Sequence, residues 1–211
     1  IFKFYISMLL CIFGLNLNAQ NTFIENKEQF PRQVKAKINL PSGSLFIEQG
    51  KLIYTFYSGE QLASIHDLSA PNKQIDAHAY TMEFINSNTD ISTELSEESK
   101  YYENYFLGDQ SKWATEVKSY KLLYQHNIYN GIDIRYYIDK DKLKYDIIIT
   151  PNSATNQIKI KYNGLDKIRL EGGNLYATTT VNMVKESQPF AYQIINGNQV
   201  EVPCIYALKK G

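Results

Sequence analysis

Apolar and polar residues alternate at every second position over much of this chain, and this alternation restricts the fold more than any other feature. His78, Tyr80, Met82 and Phe84, for example, would share one face of a strand. Short runs of this kind recur with a turn signal every 8 to 12 residues or so, and no helical period persists over three turns. The pattern predicts an all-β protein, either an antiparallel β-sandwich or two packed β-subdomains.

Turn residues divide these runs into hairpins. Residues 44–57 hold two apolar runs joined by a Gln-Gly pair, and the Asn-Gly pair at 130–131 is a strong hairpin signal. Residues 200–208 read as a final strand. The polar stretch 86–100 is rich in Ser, Thr, Asn and Glu, so we predict an internal linker there and a sub-boundary between the two parts of the chain.

The first residues have the pattern of a secretory signal peptide. Lys3 supplies an early positive charge, Phe4–Leu15 is almost wholly apolar, and Ala19 is the small residue before the predicted cut. The apolar run is shorter than the roughly 20 residues that a membrane-spanning helix needs. We therefore expect residues 1–19 to be a signal peptide and residues 20–211 to form a secreted β-domain.

The two ends and the cysteines add two expectations. The chain lacks an initiating Met and stops directly after a strand-like run, so we expect it to be the front of a longer protein with a truncated C-terminal end. Cys11 falls inside the leader, and only Cys204 would remain after export. No intrachain disulfide is then expected, and Cys204 is predicted to be a small buried side chain in a strand.

Composition excludes some partners. The chain holds 22 Lys and Arg residues against 22 Asp and Glu residues, a balance that leaves no excess charge to attract nucleic acid or an anionic membrane. Tyrosine is abundant at 17 residues, which is typical of half-buried pleated surfaces. A sharper interpretation of the tyrosines is an aromatic face that binds sugars or peptides.

The sequence offers no catalytic or metal-binding motif. His66, His78 and His126 lack the short spacing of metal ligands. Asp139 and Asp141 alternate with lysines, which favours a hairpin tip over a calcium loop. A G-x-S-x-G nucleophile motif is also missing. We therefore predict that the chain is not an enzyme and that it uses no metal and no cofactor.

An aromatic run between residues 101 and 113 is the best candidate for a binding site. Tyr101, Tyr105 and Trp113 would supply faces on which a sugar ring stacks. Asn104 and Asp109 would supply polar groups that fix the orientation of the ligand.

The alternative interpretation of this run is structural. Trp113 and Phe106 would then anchor the hydrophobic core, and Gly108 would permit the tight turn between them. A lone Trp in a secreted β-domain is usually a core anchor, so the sequence favours burial of Trp113 over an exposed binding face.

Several long motifs resemble one bacterial family. NYFLGDQSKWATEV (104–117), YNGIDIRYY (129–137) and LKYDIIITP (143–151) are the most specific. They are similar to the uncharacterised N-terminal domain of secreted Bacteroidetes surface proteins. In those proteins the domain precedes SBBP- and PKD-type repeats and a C-terminal tail of the gliding-motility, or type IX secretion, kind. Glu28 and Phe30 depart from the Gly and Trp that are usual there, and these departures change local turns rather than the fold.

The resemblance implies a non-enzymatic module with no assigned catalytic residues. We expect a structural or interaction module, with a role in adhesion, that is secreted or held on the outer cell surface. Its expected partners are the downstream domains of the same polypeptide and surface glycans or proteins, with no nucleic acid and no transmembrane span after signal cleavage. The alternative is a carbohydrate-binding module, and a hydrolase domain ranks third.

Overall fold

The computed structural model of the chain describes the backbone of residues 4–12 and the whole of residues 22–65, 74–140 and 142–209. Strands dominate this part of the chain. The first eight are β1 (Phe4–Ile12), β2 (Phe23–Glu25), β3 (Ala36–Leu40), β4 (Gly43–Glu48), β5 (Lys51–Tyr57), β6 (Ala77–Phe84), β7 (Ser92–Tyr105) and β8 (Ala114–Tyr129). The next eight are β9 (Ile132–Asp139), β10 (Lys142–Ile149), β11 (Ile160–Asn163), β12 (Lys167–Glu171), β13 (Asn174–Thr178), β14 (Met183–Glu186), β15 (Phe190–Ile195) and β16 (Asn198–Val202).

Helical structure is short. The helix α1 (Gly59–Ser64) begins after Ser58, whose hydroxyl accepts a hydrogen bond from the Gln61 amide at 3.4 Å. Single 3-10 turns cover Gln110–Lys112 and Thr155–Gln157. Among the described residues, no helix combines the length and the apolar character that crossing a membrane requires. The prediction of an all-β fold is confirmed.

The strands form a curled antiparallel sheet. Its order is β11-β6-β5-β4-β3-β2-β8-β9-β10-β1-β14-β13-β12. The strand β7 pairs with β8 to one side of this path, and the β15–β16 hairpin attaches to β1. Most neighbours in this order are also neighbours in sequence, as expected for an antiparallel sheet built from hairpins.

The hairpins that the turn residues predict are present. Glu48 pairs with Lys51 across a turn in which Gly50 has a φ of 66°. Gly131 has a φ of 75° in the turn between β8 and β9, a left-handed conformation that other residues rarely adopt. A Cβ atom on Gly131 would also lie only 2.1 Å from the Ser153 hydroxyl oxygen. Glycine at position 131 is therefore favoured both by the backbone conformation of the turn and by the lack of space for a side chain.

The core lies on the inner face of the curled sheet, where the alternating apolar residues of neighbouring strands meet. In β5, Leu52, Tyr54 and Phe56 are fully buried while the residues between them are not. The rings of Tyr54 and Tyr80 stack at 4.6 Å between centroids. Burial of such large rings on one face explains why a period of two dominates the sequence.

Three segments differ from the sequence-based expectations. Residues 92–100 of the predicted linker belong to β7, which pairs with β8 over most of its length. Residues 183–186 form β14, a strand that the sequence pattern does not predict. The predicted final strand ends early, because β16 stops at Val202. Cys204 therefore lies after the strand and is only half-buried, so the prediction of a buried strand cysteine is wrong.

The leader residues overlap the described chain only in part. Residues 1–3 and 13–21, which include the predicted cut after Ala19, lie outside the described residues, as does His66. The backbone of residues 4–12 forms β1, which lies between β10 on one side and β14 and β15 on the other. All five residues of the predicted aromatic site, in contrast, lie within the described residues, on the hairpin that β7 and β8 form.

Candidate functional site

The candidate site occupies the outer half of the β7–β8 hairpin. The strand β8 pairs with β9 only from Leu122 onward, and β2 reaches it only at Ser119 and Tyr120. Residues 114–118 of β8 therefore have β7 as their one strand neighbour within the described chain. This half of the hairpin extends beyond the main sheet, and the connecting loop 106–113 lies at its tip.

Trp113 and Phe106 form an exposed aromatic pair at this tip. Their ring centroids are 5.4 Å apart in an edge-to-face arrangement. Trp113 is 45% exposed and Phe106 is 53% exposed. The prediction that both residues anchor the core is wrong, because the hairpin carries them past the strands that would cover them. Leu107, at 79% exposure, adds a further apolar side chain to the same loop.

Tyr101 and Tyr102 are exposed further down the hairpin. They line a shallow pocket of about 170 Å³ at an irregularity in the β7–β8 pairing, together with Glu98, Glu116 and Lys118. The Lys118 ammonium group lies 3.0 Å from the Glu98 carboxylate at the pocket. An aromatic wall beside paired charges suits a ligand that offers both apolar faces and hydrogen-bonding groups.

Tyr105 lies apart from these exposed rings. It is half-buried and packs edge-to-face on Phe30 at 5.5 Å, beside a small buried cluster of Ile24, Ala114 and Val117. Its hydroxyl donates to Glu103 at 2.6 Å. Burial, followed by the hydrogen bond and the charge of Glu103, raises the pKa of Tyr105 well above its ordinary value. Tyr105 therefore holds the hairpin onto the segment that follows β2.

Asn104 and Asp109 use oxygen atoms to shape the hairpin. The Asn104 side-chain oxygen accepts a hydrogen bond from the Glu116 amide at 2.9 Å. Asp109 caps the 3-10 turn and accepts from the Ser111 amide at 2.9 Å. That amide is the main reason why the pKa of Asp109 lies below its ordinary value. Of the five predicted site residues, Tyr101 and Trp113 present exposed rings, while Tyr105, Asn104 and Asp109 position the hairpin.

The histidines make ordinary polar contacts. His78 lies 2.5 Å from the Gly164 carbonyl oxygen and 3.0 Å from the Thr180 hydroxyl, so it joins β6 to two turns. His126 lies 3.3 Å from Glu94 and 3.4 Å from Asp133 on the surface. Within the ranges that the structure describes, no group of three His, Cys, Asp or Glu residues is arranged to hold a metal ion.

A buried carboxylate in β14 is the feature that sequence reasoning missed. Glu186 is 1% exposed. The Tyr162 hydroxyl donates to one of its oxygens at 2.6 Å, and the Tyr145 and Tyr206 hydroxyls lie 3.3 and 3.4 Å from the other. Burial raises the pKa of Glu186 above its ordinary value, and the three hydroxyl donors oppose that rise.

The surroundings of Glu186 are rich in further tyrosines. The hydroxyls of Tyr80 and Tyr136 are buried, and neither has a hydrogen-bond partner among the described atoms. Such groups are rare in folded proteins, and a bound water is their usual partner. This glutamate and its three tyrosine donors, here called the Glu186 cluster, form a polar island in an apolar core. The abundance of tyrosine is one sequence signal of this cluster.

Comparison with known families places nearly all of these features in one domain. The sequence profile of DUF7948, described as a domain of unknown function, matches residues 23–211. The chain belongs to the DUF7948 family. Neither a curated protein nor a solved structure matches the chain. The hairpin and the Glu186 cluster lie inside the DUF7948 match, whereas β1 lies before its first residue.

Proposed function

We propose that this DUF7948 domain is an exported, non-enzymatic interaction module that uses the outer half of the β7–β8 hairpin as its contact surface. The main support for this proposal is a set of exposed apolar side chains on one hairpin: Tyr101, Tyr102, Phe106, Leu107 and Trp113. Exposure of large apolar groups costs solubility, and clusters of them are typical of binding surfaces. Aromatic residues also dominate the energetics of protein contacts.

Site-specific crosslinking tests this surface. A photoreactive phenylalanine analogue replaces Leu107 at the tip, and a control chain carries it at Tyr57, which is 45% exposed on β5. Both chains are expressed in the producing cells and irradiated. We expect a discrete crosslinked partner from position 107 that is absent from position 57. Equal crosslinking from both positions, or none from position 107, would contradict the proposal.

Carbohydrate binding is the second candidate. Tyr101 and Tyr102 beside Glu98 and Lys118 provide a stacking face with adjacent hydrogen-bonding groups. A glycan array probed with the intact chain and with a Tyr101→Ser/Tyr102→Ser variant tests it. Binding that the double variant loses, and that a Tyr57→Ser control retains, would support a sugar ligand. Silence of the intact chain across the array would contradict it.

The proposal includes export and surface context. The leader pattern supports secretion through a Sec-type signal peptide, with removal of residues 1–19. The motif resemblance supports a place ahead of SBBP- or PKD-type repeats and a type IX secretion tail in a Bacteroidetes surface protein with a role in adhesion. N-terminal sequencing of the exported protein tests the cut, and Gln20 as the first residue is the expected result.

A further inference from the structure

The strand β1 fills a gap inside the sheet rather than extending an edge. On one side, Phe4 to Leu9 pair with Ile149 to Lys144 of β10. On the other side, Phe4 to Ser7 pair with β15, and Leu10 to Ile12 pair with β14. Both neighbours run antiparallel to β1. The strand thus satisfies backbone groups of two edges at once.

This strand is the part of the fold that export would remove. Residues 4–12 lie within the proposed signal peptide, and the DUF7948 match begins later, at residue 23. The inference therefore rests on the proposed export. Removal of β1 would leave the facing backbone groups of β10 and of β14–β15 without partners, and unpaired strand edges bind other strands.

The described residues contain no spare strand to close the gap. The strands β2 to β16 are all paired in the sheet or its hairpins. Residues 203–209 follow β16, and the Tyr206 hydroxyl ties them to the Ser187 carbonyl oxygen at 3.1 Å and to the Glu186 carboxylate. Closing the gap with any of these described segments would break contacts that already stabilise the core.

The register defines the chemistry of a replacement strand. The positions opposite Tyr145, Ile147 and Ile149 of β10 adjoin buried core residues, so they require apolar side chains. The positions opposite Lys144 and Asp146 need no charge, because Lys144 is paired with Asp139 and Asp146 with Arg135. An extended peptide with an apolar residue at every second position meets these requirements.

We propose that the processed domain is a strand acceptor, in which the gap between β10 and β14–β15 binds an extended, alternately apolar peptide strand donated by a separate polypeptide. This binding mode is β-strand addition, in which backbone hydrogen bonds supply affinity and alternate side chains supply specificity. The gap is distinct from the hairpin surface. It would bind the backbone of the donated strand, whereas the hairpin offers exposed side chains to its partner.

The first experiment starts from the intact chain with a protease site engineered within residues 13–19. After cleavage and removal of the leader fragment, a fluorescent peptide with the sequence of residues 3–13, with Cys11→Ser and added terminal lysines, serves as the probe. We expect saturable binding, with restored protection from hydrogen exchange at those amides of residues 144–149 that face the gap, while the alternate amides, which face β9, stay protected throughout. A control peptide with Ile6→Asp and Met8→Asp should bind at least about 100-fold more weakly, because its two charges would lie opposite the buried residues Ile147 and Tyr145.

Two outcomes of this experiment would overturn the proposal. The first is a cleaved chain in which the gap-facing amides of residues 144–149 remain protected without peptide, since the gap would then have closed by itself. The second is equal binding of the probe and the control peptide. A Phe106→Ser/Trp113→Ser variant should bind the probe normally, so failure of the hairpin proposal and failure of this one are distinguishable.

The second experiment identifies the donor in the exported protein. Phe190 of β15 is 41% exposed and lies in register with Ser7 of β1, so a photoreactive analogue at position 190 samples the gap. A crosslink to a separate polypeptide supports the proposal. A crosslink to the protein's own polypeptide overturns it. N-terminal sequencing of the same sample shows separately whether the leader was removed.

Discussion

The Tyr162 hydroxyl donates a 2.6 Å hydrogen bond to Glu186 in the interior of the sheet. The two residues come from β11 and β14, which lie far apart in the order of the sheet. A carboxyl group at this place is expensive to ionise, because burial removes it from water. The Glu186 cluster therefore links the stability of the fold to pH.

Stability should fall as pH rises through the range in which Glu186 ionises. Its pKa is raised in the folded chain, so between its unfolded and folded values the native state binds more protons than the unfolded state. The stabilising contribution of the protonated carboxyl is thus complete below the unfolded pKa and is lost as pH rises through the folded pKa. Glu186→Gln should remove this dependence.

Urea denaturation of the wild type and Glu186→Gln between acid and neutral pH measures this effect. The two chains should differ by less than about 1 kcal/mol at acid pH, and the difference should shift in favour of Gln toward neutral pH. Glu201→Gln on the exposed strand β16 is the control and should follow the wild type. Parallel curves for the wild type and Glu186→Gln would contradict a raised pKa.

Tyr162→Phe should destabilise the domain by about 1–3 kcal/mol at neutral pH, because it leaves a buried carboxylate with one donor fewer. The loss should be smaller at acid pH, where the carboxyl is neutral. Tyr57→Phe removes an exposed hydroxyl and should be almost neutral at both pH values. Chemical denaturation at the two pH values measures both variants, and an equal effect of the two would exclude a special role for Tyr162.

Trp113→Ala should cost less than about 1.5 kcal/mol, because the ring is half-exposed and its ring contact is with Phe106. Tyr136→Ala, at a fully buried position, should cost about 3–5 kcal/mol. Thermal and urea unfolding of the two variants provide the comparison. A loss at Trp113 as large as that at Tyr136 would show that the tip is packed against other residues.

Asp146→Ala should destabilise the domain by about 1–3 kcal/mol, because it removes the buried carboxylate that pairs with Arg135, whose side chain is only about one-third exposed. The pair lies on the face of β9 and β10 away from the core, where Tyr137 also approaches Asp146 at 3.3 Å. Asp139→Ala, which breaks the more exposed pair with Lys144, should cost less than about 1 kcal/mol. If urea denaturation gave the same loss in the free energy of unfolding for both variants, the prediction would be wrong.

Period-two patterning was enough to predict the all-β class and the hairpins at residues 49–50 and 130–131. It failed for β7, since Ser92–Tyr105 carries mostly polar residues and, among the described strands, pairs with β8 alone. Such a strand buries no continuous apolar face, so its sequence resembles that of a linker. The pairing partner in β8, not local propensity, determines its conformation.

Burial and buried polar contacts were harder to predict than strands. Whether Trp113 is covered depends on how far β2 and β9 extend along β8. The sequence around Trp113 does not indicate where those two strands end. The Glu186 cluster unites β10, β11, β14 and a segment after β16, so its three donors are remote in sequence from their acceptor. The position of Glu186 two residues after buried Val184 was the local sign of an inward carboxylate.

The edge of β7 opposite β8 has no strand neighbour in the described part of the chain, and this affects how the protein behaves in concentrated solution. Glu94, Glu97, Glu98 and Lys100 lie along this strand, and Glu97 has a φ of 59°, which interrupts the regular extended backbone. Docking of a second copy against this edge would crowd like charges and meet an irregular ladder. These features disfavour strand-to-strand association between copies of the chain through β7, although the loop of the same hairpin exposes aromatic rings.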